Sequence, residues 1–165
     1  MNTKSIGNIG EAKVLSWFVE HNIPVYLPFG DNERADLIAE FNNKLNKIQV
    51  KTSNHIKNNT INFDLFSRVH SITINGNTHK NCYYDNNEID YYALYNMIDN
   101  EIYFIKNSEI NTKSIRLRFK IPKNNQSTNV KFAKDYMIDN ILCVETLHEV
   151  PKDKIYGKDK VQTTM

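Results

Sequence analysis

An acid, an amide and a lysine lie on two neighbouring strand-like runs of this sequence. Asp36 belongs to the first run, residues 34–40, and Gln49 and Lys51 belong to the second, residues 45–51. Carboxylate, amide and main-chain carbonyl oxygens are ligands that suit a hard cation such as Mg²⁺, which keeps several of its waters. A bound Mg²⁺ lowers the pKa of a water and stabilises charge on a phosphoryl oxygen. The chemistry that these residue types favour is metal-assisted hydrolysis of a phosphodiester bond.

The turn between the two runs decides whether these side chains meet. Paired asparagines tolerate the positive φ angles of a tight hairpin, so Asn42 and Asn43 are the expected loop residues. In that register Asp36 lies directly opposite Gln49, with Cβ atoms roughly 4.5–5.5 Å apart. Lys51, two residues further along the strand, projects from the same face. A shift of one residue would separate the side chains, so the predicted site depends on this turn.

Each member of the predicted cluster has an expected role. Asp36, Gln49 and the Val50 carbonyl are the expected metal ligands, and Lys51 is expected to hold the attacking water or the scissile phosphate. A structural salt bridge from Asp36 to Lys51 across the hairpin is the alternative explanation for the same residues. The spacing alone does not separate these two interpretations.

A fourth candidate comes from the first predicted helix, residues 8–21. Glu11 is expected at the centre of its apolar face, with Val14, Leu15 and Phe18 within about 60° of it. Burying a carboxylate there is costly unless the charge is paired or bound to a metal. Glu11 is therefore expected to bind a metal through water or to complete a second metal site. A glutamate that extends into solvent is the alternative.

The remaining pattern predicts a mixed chain of the α/β or α+β class. After the hairpin, a second helix is predicted over residues 130–140, and further strands are predicted at residues 60–66, 72–74, 89–95, 102–105 and 115–121. A helix, a strand-rich middle and a second helix are compatible with one mixed domain. We expect that domain to span residues 1–148, followed by a polar, loosely ordered tail at residues 149–165.

Composition favours an ordinary globular protein of the cytoplasm. The 165 residues carry 21 basic and 19 acidic side chains, a formal net charge of +2. Cys82 and Cys143 are too few for a disulfide framework and lack zinc-type spacing, so both are expected to be reduced. The N-terminal segment has no apolar core of a signal peptide, and no apolar run approaches the roughly 18–20 residues that span a bilayer. No membrane partner is expected.

Near-neutrality hides a basic segment at residues 106–123, which carries six basic residues against one acidic residue. Arg116, Arg118 and Lys120 alternate along the predicted strand and therefore share one face. Basic residues on a β-ribbon lie along phosphates or in a groove, and arginine reads guanine edges. A solvated strand with a chance excess of charge is the alternative. Further candidate DNA contacts are Thr52, Ser53, Asn54, Lys57, Arg68 and Lys113.

Several short motifs occur in order along the chain. The first four are Gly10-Glu11-Ala12-Lys13, Pro28-Phe29-Gly30-Asp31-Asn32, Ala35-Asp36-Leu37 and Ile48-Gln49-Val50-Lys51-Thr52. Segments at residues 89–95, 103–105, 115–118 and 133–136 continue the series. Together they resemble the PD-(D/E)XK nuclease core, and more narrowly the bacterial intron-associated homing endonucleases built on the restriction-endonuclease fold. The resemblance spans residues 4–140.

That resemblance implies a Mg²⁺-dependent, homo-oligomeric endonuclease, bacterial or phage-encoded, that cuts a long double-stranded DNA site as a dimer or tetramer. The implied fold is restriction-endonuclease-like, with an N-terminal helix followed by a mixed central β-sheet and flanking helices. The implied active site is Glu11, Asp36, Gln49 and Lys51. Gln49 stands where Asp or Glu is usual in the superfamily, and a neutral amide binds a cation more weakly. The homing subgroup also tolerates glutamine at this position.

Three other functions stay open. One is a structure-selective nuclease of the same fold, such as a Holliday-junction resolvase. Another is a DNA-binding relative that lost catalysis, with Gln49 as the inactivating change. The third is an HNH-type nuclease built on His70, Asn75 and His79, around an Asn75-Gly76 turn.

Overall fold

In the residues that the computed structural model describes, an N-terminal helix, a five-stranded sheet and a four-stranded sheet form three successive layers. The structure describes residues 2–30, 33–73, 76–121 and 130–142, and for residues 68–73 and 76–80 it describes the backbone alone. The first layer is helix α1, Thr3–Glu20. The strands are β1 (Val25–Tyr26), β2 (Leu37–Phe41), β3 (Lys44–Ser53), β4 (Ile56–Lys57), β5 (Thr60–Asp64), β6 (Phe66–Thr73), β7 (Gly76–Tyr83), β8 (Tyr91–Asn96), β9 (Glu101–Lys106), β10 (Ser114–Arg118) and β11 (Lys131–Phe132).

Helix α1 begins earlier than the pattern predicted, because Asn2 caps it: the Ser5 main-chain N donates to Asn2 Oδ1 at 2.8 Å. Its buried residues are Gly10, Val14 and Phe18, spaced four apart. The prediction that Glu11 occupies the centre of the buried face is wrong, since Glu11 is exposed at the edge of this stripe. The buried stripe follows Gly10, whose lack of a side chain carried no apolar signal in the sequence.

The central sheet has the strand order β1-β2-β3-β8-β9 and is mixed. Strands β3 and β8 run parallel, whereas the other neighbouring pairs are antiparallel. The predicted hairpin register is confirmed, because Leu37 lies opposite Ile48. Asn42 and Asn43 form the turn with φ angles of 53° and 57°. The mixed sheet behind an N-terminal helix confirms the predicted fold class.

Two apolar cores cover the two faces of the central sheet. On one face, Val14 and Phe18 of α1 pack with Ile48 and Val50 of β3 and with other buried residues of the sheet. On the other face, a core of Ile61, Phe63, Tyr92, Leu94 and Leu117, among others, joins it to a sheet of order β11-β10-β5-β4. Because side chains alternate along β3, Gln49 and Lys51 project towards this second sheet.

Close packing of α1 against β3 requires a glycine. A Cβ atom added at Gly10 would lie 1.9 Å from Thr52 Oγ1, so no side chain fits there. Gly10 therefore lets the helix approach the end of β3, which carries the predicted site. The glycine of the Gly10-Glu11 motif is thus explained by packing.

Strands β6 and β7 form an antiparallel ribbon with Phe66 opposite Tyr83. The sequence indicated this ribbon only in part. The predicted strand at residues 60–66 divides into β5 and the start of β6. Of the predicted run at residues 72–74, the first two residues end β6 and residue 74 lies outside the described residues. The sequence pattern did not predict β7. The polar composition of β7 explains why its alternation was not visible.

The predicted helix at residues 130–140 is wrong. Strand β11 pairs in parallel with β10, a 3₁₀ helix follows at Ala133–Tyr136, and α2 spans only Ile138–Leu142. Met137 also bridges to Tyr103 of β9. These long-range main-chain pairings override the local helical pattern.

Three further expectations concern the remainder of the chain. Cys82 is a free cysteine as expected, whereas Cys143 and the predicted tail at residues 149–165 lie outside the described residues. Within the described ranges, no helix is both long enough and apolar enough to cross a membrane. The boundary expected at residue 148 stays a prediction.

Candidate active site

The hairpin brings Asp36 and Gln49 into direct contact, as the register predicted. Asp36 Oδ2 accepts a hydrogen bond from the main-chain N of Val50 at 2.7 Å and another from Gln49 Nε2. Gln49 Nε2 also donates to the Val50 carbonyl at 3.3 Å. These bonds use one carboxylate oxygen and the amide nitrogen. They leave Asp36 Oδ1 and Gln49 Oε1 as the side-chain oxygens that can serve a cation.

Lys51 lies beside this pair but is not ion-paired to it. Its Nζ donates to the Phe66 carbonyl at 3.0 Å and to Tyr84 Oη at 3.1 Å. The ion pairs of the described residues are His21–Asp139, Arg34–Glu88 and Lys44–Asp90. A direct Asp36–Lys51 salt bridge is therefore not the reason that these two charges share a hairpin. The ammonium is held by neutral oxygens instead.

Burial makes the charged forms of both groups costly. Burial raises the pKa of Asp36 to about 6, and the charge of Glu11 adds to the rise, while the Val50 hydrogen bond and the Lys51 charge oppose it. Burial lowers the pKa of Lys51 to about 8, against the attraction of Asp36. Opposite shifts of two neighbouring groups are a property of functional sites more than of ordinary surface pairs. The pair is therefore a strong candidate for chemistry.

Glu11 reaches this site from helix α1. Its charge raises the pKa of both Asp36 and Lys51, so its carboxylate lies within electrostatic range of both groups. The side chain is exposed rather than buried. Glu11 thus lies on the solvent side of the hairpin cluster.

The oxygen donors fit a hard divalent cation. Asp36, the Gln49 amide and the Val50 carbonyl supply oxygen atoms within one hairpin, the ligand type that Mg²⁺ prefers. No group of three or more His, Cys, Asp or Glu residues in the described part of the chain is placed to hold a metal. Beside the single carboxylate of Asp36, the hairpin offers the oxygen of an amide and that of a main-chain carbonyl. Such a set suits an oxygen-binding ion and not a soft metal.

A groove of about 630 Å³ opens next to Lys51. Three predicted DNA contacts, Thr52, Ser53 and Asn54, line it together with Thr3, Asn62, Asp64 and Phe66. Asn62 and Asp64 were not predicted as site residues. Their alternation with buried Ile61 and Phe63 on β5 marks them as outward-facing, but only the fold places them beside the hairpin.

The outward face of the second sheet continues from this groove. Arg116 pairs with Asn62, and Arg118 pairs with Thr60, which also pairs with Lys57. Paired residues share a face, so these three basic residues lie on one surface. The predicted alternation of Arg116 and Arg118 is confirmed, because Ile115 and Leu117, which alternate with them along β10, are buried.

Three other predicted DNA contacts lie differently. Lys120 falls beyond β10, which ends at Arg118, and its carbonyl accepts from Arg118 Nε at 3.0 Å, so it does not continue the strand alternation as expected. Lys113 Nζ lies 5.5 Å from the centroid of the Tyr83 ring on the ribbon. Arg68 pairs with Asn81 in the ribbon backbone, but its side chain lies outside the described residues.

Comparison with known proteins identifies the family. Residues 1–139 match the model of the PD-(D/E)XK endonuclease family. The chain belongs to this family. Its predicted resemblance to the PD-(D/E)XK core is thereby confirmed, and membership supports endonuclease activity. Nucleases of the PD-(D/E)XK family typically use divalent metal ions, in agreement with the oxygen donors of the hairpin.

A solved structure shares the fold of this PD-(D/E)XK endonuclease. The bacterial homing endonuclease I-Ssp6803I matches with a TM-score of 0.65 at 18% sequence identity, over 87% of this chain and 94% of that chain. At this identity the likeness establishes the restriction-endonuclease-like fold. No curated protein sequence matches the chain.

The HNH interpretation receives no support from the fold of this PD-(D/E)XK endonuclease. His70 and His79 are paired in the backbone of the β6–β7 ribbon. Their side chains and the whole of Asn75 lie outside the described residues. The described cluster that suits hydrolysis is the hairpin.

Proposed function

We propose that this chain is a Mg²⁺-dependent, site-specific double-strand DNA endonuclease of the homing type. The observation that carries the proposal is the contact between Asp36 and Gln49, with Lys51 beside them at the end of a groove. That groove continues onto a face with Lys57, Arg116 and Arg118. A catalytic cluster that opens onto a basic surface suits a phosphodiester substrate.

The metal would be held by Asp36, the Gln49 amide oxygen and the Val50 carbonyl, with Glu11 acting through water. When bound, Mg²⁺ supplies an activated water and stabilises charge on the phosphate. The Val50 N–H, 2.7 Å from Asp36 Oδ2, fixes the direction of the carboxylate. The Lys51 ammonium is placed to hold the attacking water or the scissile phosphate, where a positive charge offsets the charge that develops on oxygen.

The DNA path that we propose runs from the groove across the outward face of β5 and β10. Ser53 and Asn54 would hold the backbone next to the scissile bond. The Thr52 hydroxyl, which was expected to contribute, is buried against Gly10 of α1 and does not face the groove. Basic side chains further along, Lys57, Arg116 and Arg118, would neutralise phosphates and position the duplex. Lys113, Lys120 and Arg68 are proposed as additional contacts beyond this face.

Cutting both strands requires two active sites. Because one hairpin site cuts one strand, a two-fold symmetric assembly of at least two chains is proposed, either a dimer or a tetramer. The fold that this chain shares with a bacterial homing endonuclease favours a homing endonuclease over the other types of nuclease. A DNA substrate in a bacterial or phage setting implies action in the cytoplasm.

A plasmid library with random inserts tests this function. The wild-type protein is incubated with the library with Mg²⁺ or with EDTA, beside Asp36→Ala, Lys51→Ala and the exposed-lysine control Lys134→Ala. We expect Mg²⁺-dependent cutting at discrete sites by the wild type and by Lys134→Ala only.

The alternatives give different results in the same assay. Cutting of branched DNA alone would favour a Holliday-junction resolvase, and binding without cutting would favour an inactive relative. Full cleavage by Asp36→Ala or by Lys51→Ala would contradict the site assignment.

A further inference from the structure

We propose that Tyr84 is a positioning residue for Lys51, and that Arg34 holds Tyr84 in place. This inference rests on the proposed endonuclease function. It assigns a positioning role to two residues at the base of the β6–β7 ribbon, which the sequence motifs do not include. Lys51 and Tyr84 lie 33 positions apart along the chain, so only the fold brings them together.

Both acceptors of the Lys51 ammonium belong to the base of the ribbon. Phe66 is the first residue of β6 and lies opposite Tyr83, the last residue of β7; Tyr84 follows directly. The lysine Nζ donates to the Phe66 carbonyl at 3.0 Å and to Tyr84 Oη at 3.1 Å. A lysine side chain has about 2 kcal/mol of rotamer entropy. Two fixed acceptors therefore restrict an otherwise flexible ammonium to one place.

Tyr84 is itself fixed from two sides. The Arg34 guanidinium carbon lies 4.1 Å from the centroid of its ring, within the range of a cation–π contact. Tyr92 meets the same ring edge-on, with ring centroids 5.9 Å apart. The tyrosine ring is thus packed between a cation and an aromatic edge. This packing places the Tyr84 hydroxyl 3.1 Å from Lys51 Nζ.

Each of the three guanidinium nitrogens of Arg34 donates to an acceptor within the protein. Its Nε donates to Glu88 Oε1 at 3.0 Å, Nη1 donates to Ser67 Oγ at 3.0 Å and Nη2 donates to the Tyr83 carbonyl at 2.8 Å. Ser67 and Tyr83 belong to the two strands of the ribbon. An arginine that binds phosphate would present free N–H groups to the groove instead. The geometry therefore assigns Arg34 to support of the ribbon base.

The test uses a DNA target that the wild type cuts, with Tyr84→Phe, Arg34→Met and the neighbouring control Tyr83→Phe. Tyr84→Phe keeps the ring and removes one acceptor of a charged donor, so kcat should fall about tenfold. KM and the dissociation constant for DNA should stay unchanged. Arg34→Met should lower kcat in the same way, whereas Tyr83→Phe should match the wild type. Equal thermal midpoints would exclude a general folding defect.

A second readout does not depend on cleavage. The Cε resonance of Lys51, assigned by its loss in Lys51→Met, is followed by NMR in protein with labelled lysine. In Tyr84→Phe the resonance should shift and report greater side-chain mobility, and in Tyr83→Phe it should not. An unchanged Lys51 resonance in Tyr84→Phe, or an unchanged kcat, would overturn the positioning role. A rise in KM for Arg34→Met without loss of kcat would instead assign Arg34 to phosphate binding.

The two proposals fail in distinguishable ways. If the wild type cuts no DNA with Mg²⁺, the proposed endonuclease function fails, and the Lys51 resonance alone still decides whether Tyr84 positions the lysine. If the wild type cuts DNA and Tyr84→Phe cuts it equally fast, the endonuclease function stands and the positioning role is wrong.

Discussion

The β2–β3 hairpin and the outward face of the β5–β10 pair are both polar, but they are polar in different ways. In the hairpin, Asp36 and Lys51 are largely withdrawn from water, and their pKa values move to about 6 and about 8. On the outward face, Arg116 is exposed and Asn62 beside it is exposed as well. One region holds charges at a cost, whereas the other displays them in solvent.

This difference separates chemistry from binding. A desolvated charge interacts strongly with whatever replaces the water, so each hairpin residue should have a large effect on rate. An exposed charge is screened by solvent and salt, so each residue of the outward face should have a small effect on affinity. Variants that affect one region and leave the other intact test this difference.

Lys51→Met should have the largest effect. Removing the ammonium leaves the developing phosphate charge without its cation, so the cleavage rate of bound DNA should fall by about 10³-fold or more. DNA affinity should change little. Single-turnover cleavage and DNA binding in EDTA measure the two quantities, with the exposed-lysine variant Lys134→Met as control. Loss of affinity with an unchanged rate would place Lys51 with the binding face.

Asp36→Asn should stabilise the metal-free protein by about 3 kcal/mol well above pH 6, because the ionised carboxylate is costly in the fold. The folded pKa of about 6 exceeds the ordinary value of 3.8. Stability contributed by the raised pKa is therefore present below pH 4 and is lost as the pH rises through 6. Thermal unfolding of both proteins from pH 4 to 8 should show a midpoint difference that grows to about 6–12 °C.

Mg²⁺ and a surface variant serve as controls for this stability experiment. The ion should raise the midpoint of the wild type and leave that of Asp36→Asn unchanged. The exposed variant Asp135→Asn should match the wild type at each pH. A lower thermal midpoint for Asp36→Asn than for the wild type at pH 8 would show that the ionised carboxylate stabilises the fold. That result would contradict the claim that the buried charge of Asp36 is costly.

The register of the hairpin shows how much of this site the sequence contains. The Asn42-Asn43 turn and the two-residue period of strands predicted Asp36 opposite Gln49 and Lys51 on the same face, and the structure has this arrangement. Such local patterns predict strand pairing correctly because a turn fixes the register of the two strands that it joins. The ordered motifs together resemble the PD-(D/E)XK nucleases over nearly the whole domain. The match of residues 1–139 to the family model confirms that resemblance.

Long-range packing set the limits of prediction. Residues 130–140 have a helical pattern, but β11 gains its pairing from β10, which is distant in sequence. Glu11 was placed at the wrong depth because Gly10 faces the sheet and contributes no apolar signal. Tyr84 contacts Lys51 across 33 residues, and nothing near either residue in the sequence marks that contact.

Gln49→Glu should raise the affinity of the hairpin for Mg²⁺. A carboxylate attracts a divalent cation more strongly than an amide, so the Mg²⁺ concentration for half-maximal cleavage should fall about tenfold. In the absence of metal the second carboxylate would repel Asp36, so the thermal midpoint should also fall. A Mg²⁺ titration of cleavage and metal-free unfolding measure these effects. An unchanged Mg²⁺ requirement would exclude Gln49 as a ligand.

Arg116→Ser should have the smallest effect. Loss of one exposed phosphate contact should weaken DNA binding about five-fold and reduce the slope of log Kd against log salt by about 1. Lys106→Ser is the matched control, because Lys106 belongs to the same basic segment but lies on β9 of the central sheet. Equal salt slopes for the wild type and Arg116→Ser would remove the outward face from the proposed DNA path.

The most direct measurement compares Asp36→Asn and Arg116→Ser on one DNA target, with the dissociation constant and the single-turnover cleavage rate determined for each. Asp36→Asn should bind DNA as the wild type does and cut it at least about 10³-fold more slowly, since a metal ligand is lost. Arg116→Ser should bind more weakly and cut the bound DNA at the wild-type rate. Cleavage by Asp36→Asn at the wild-type rate would contradict the assignment of chemistry to the hairpin.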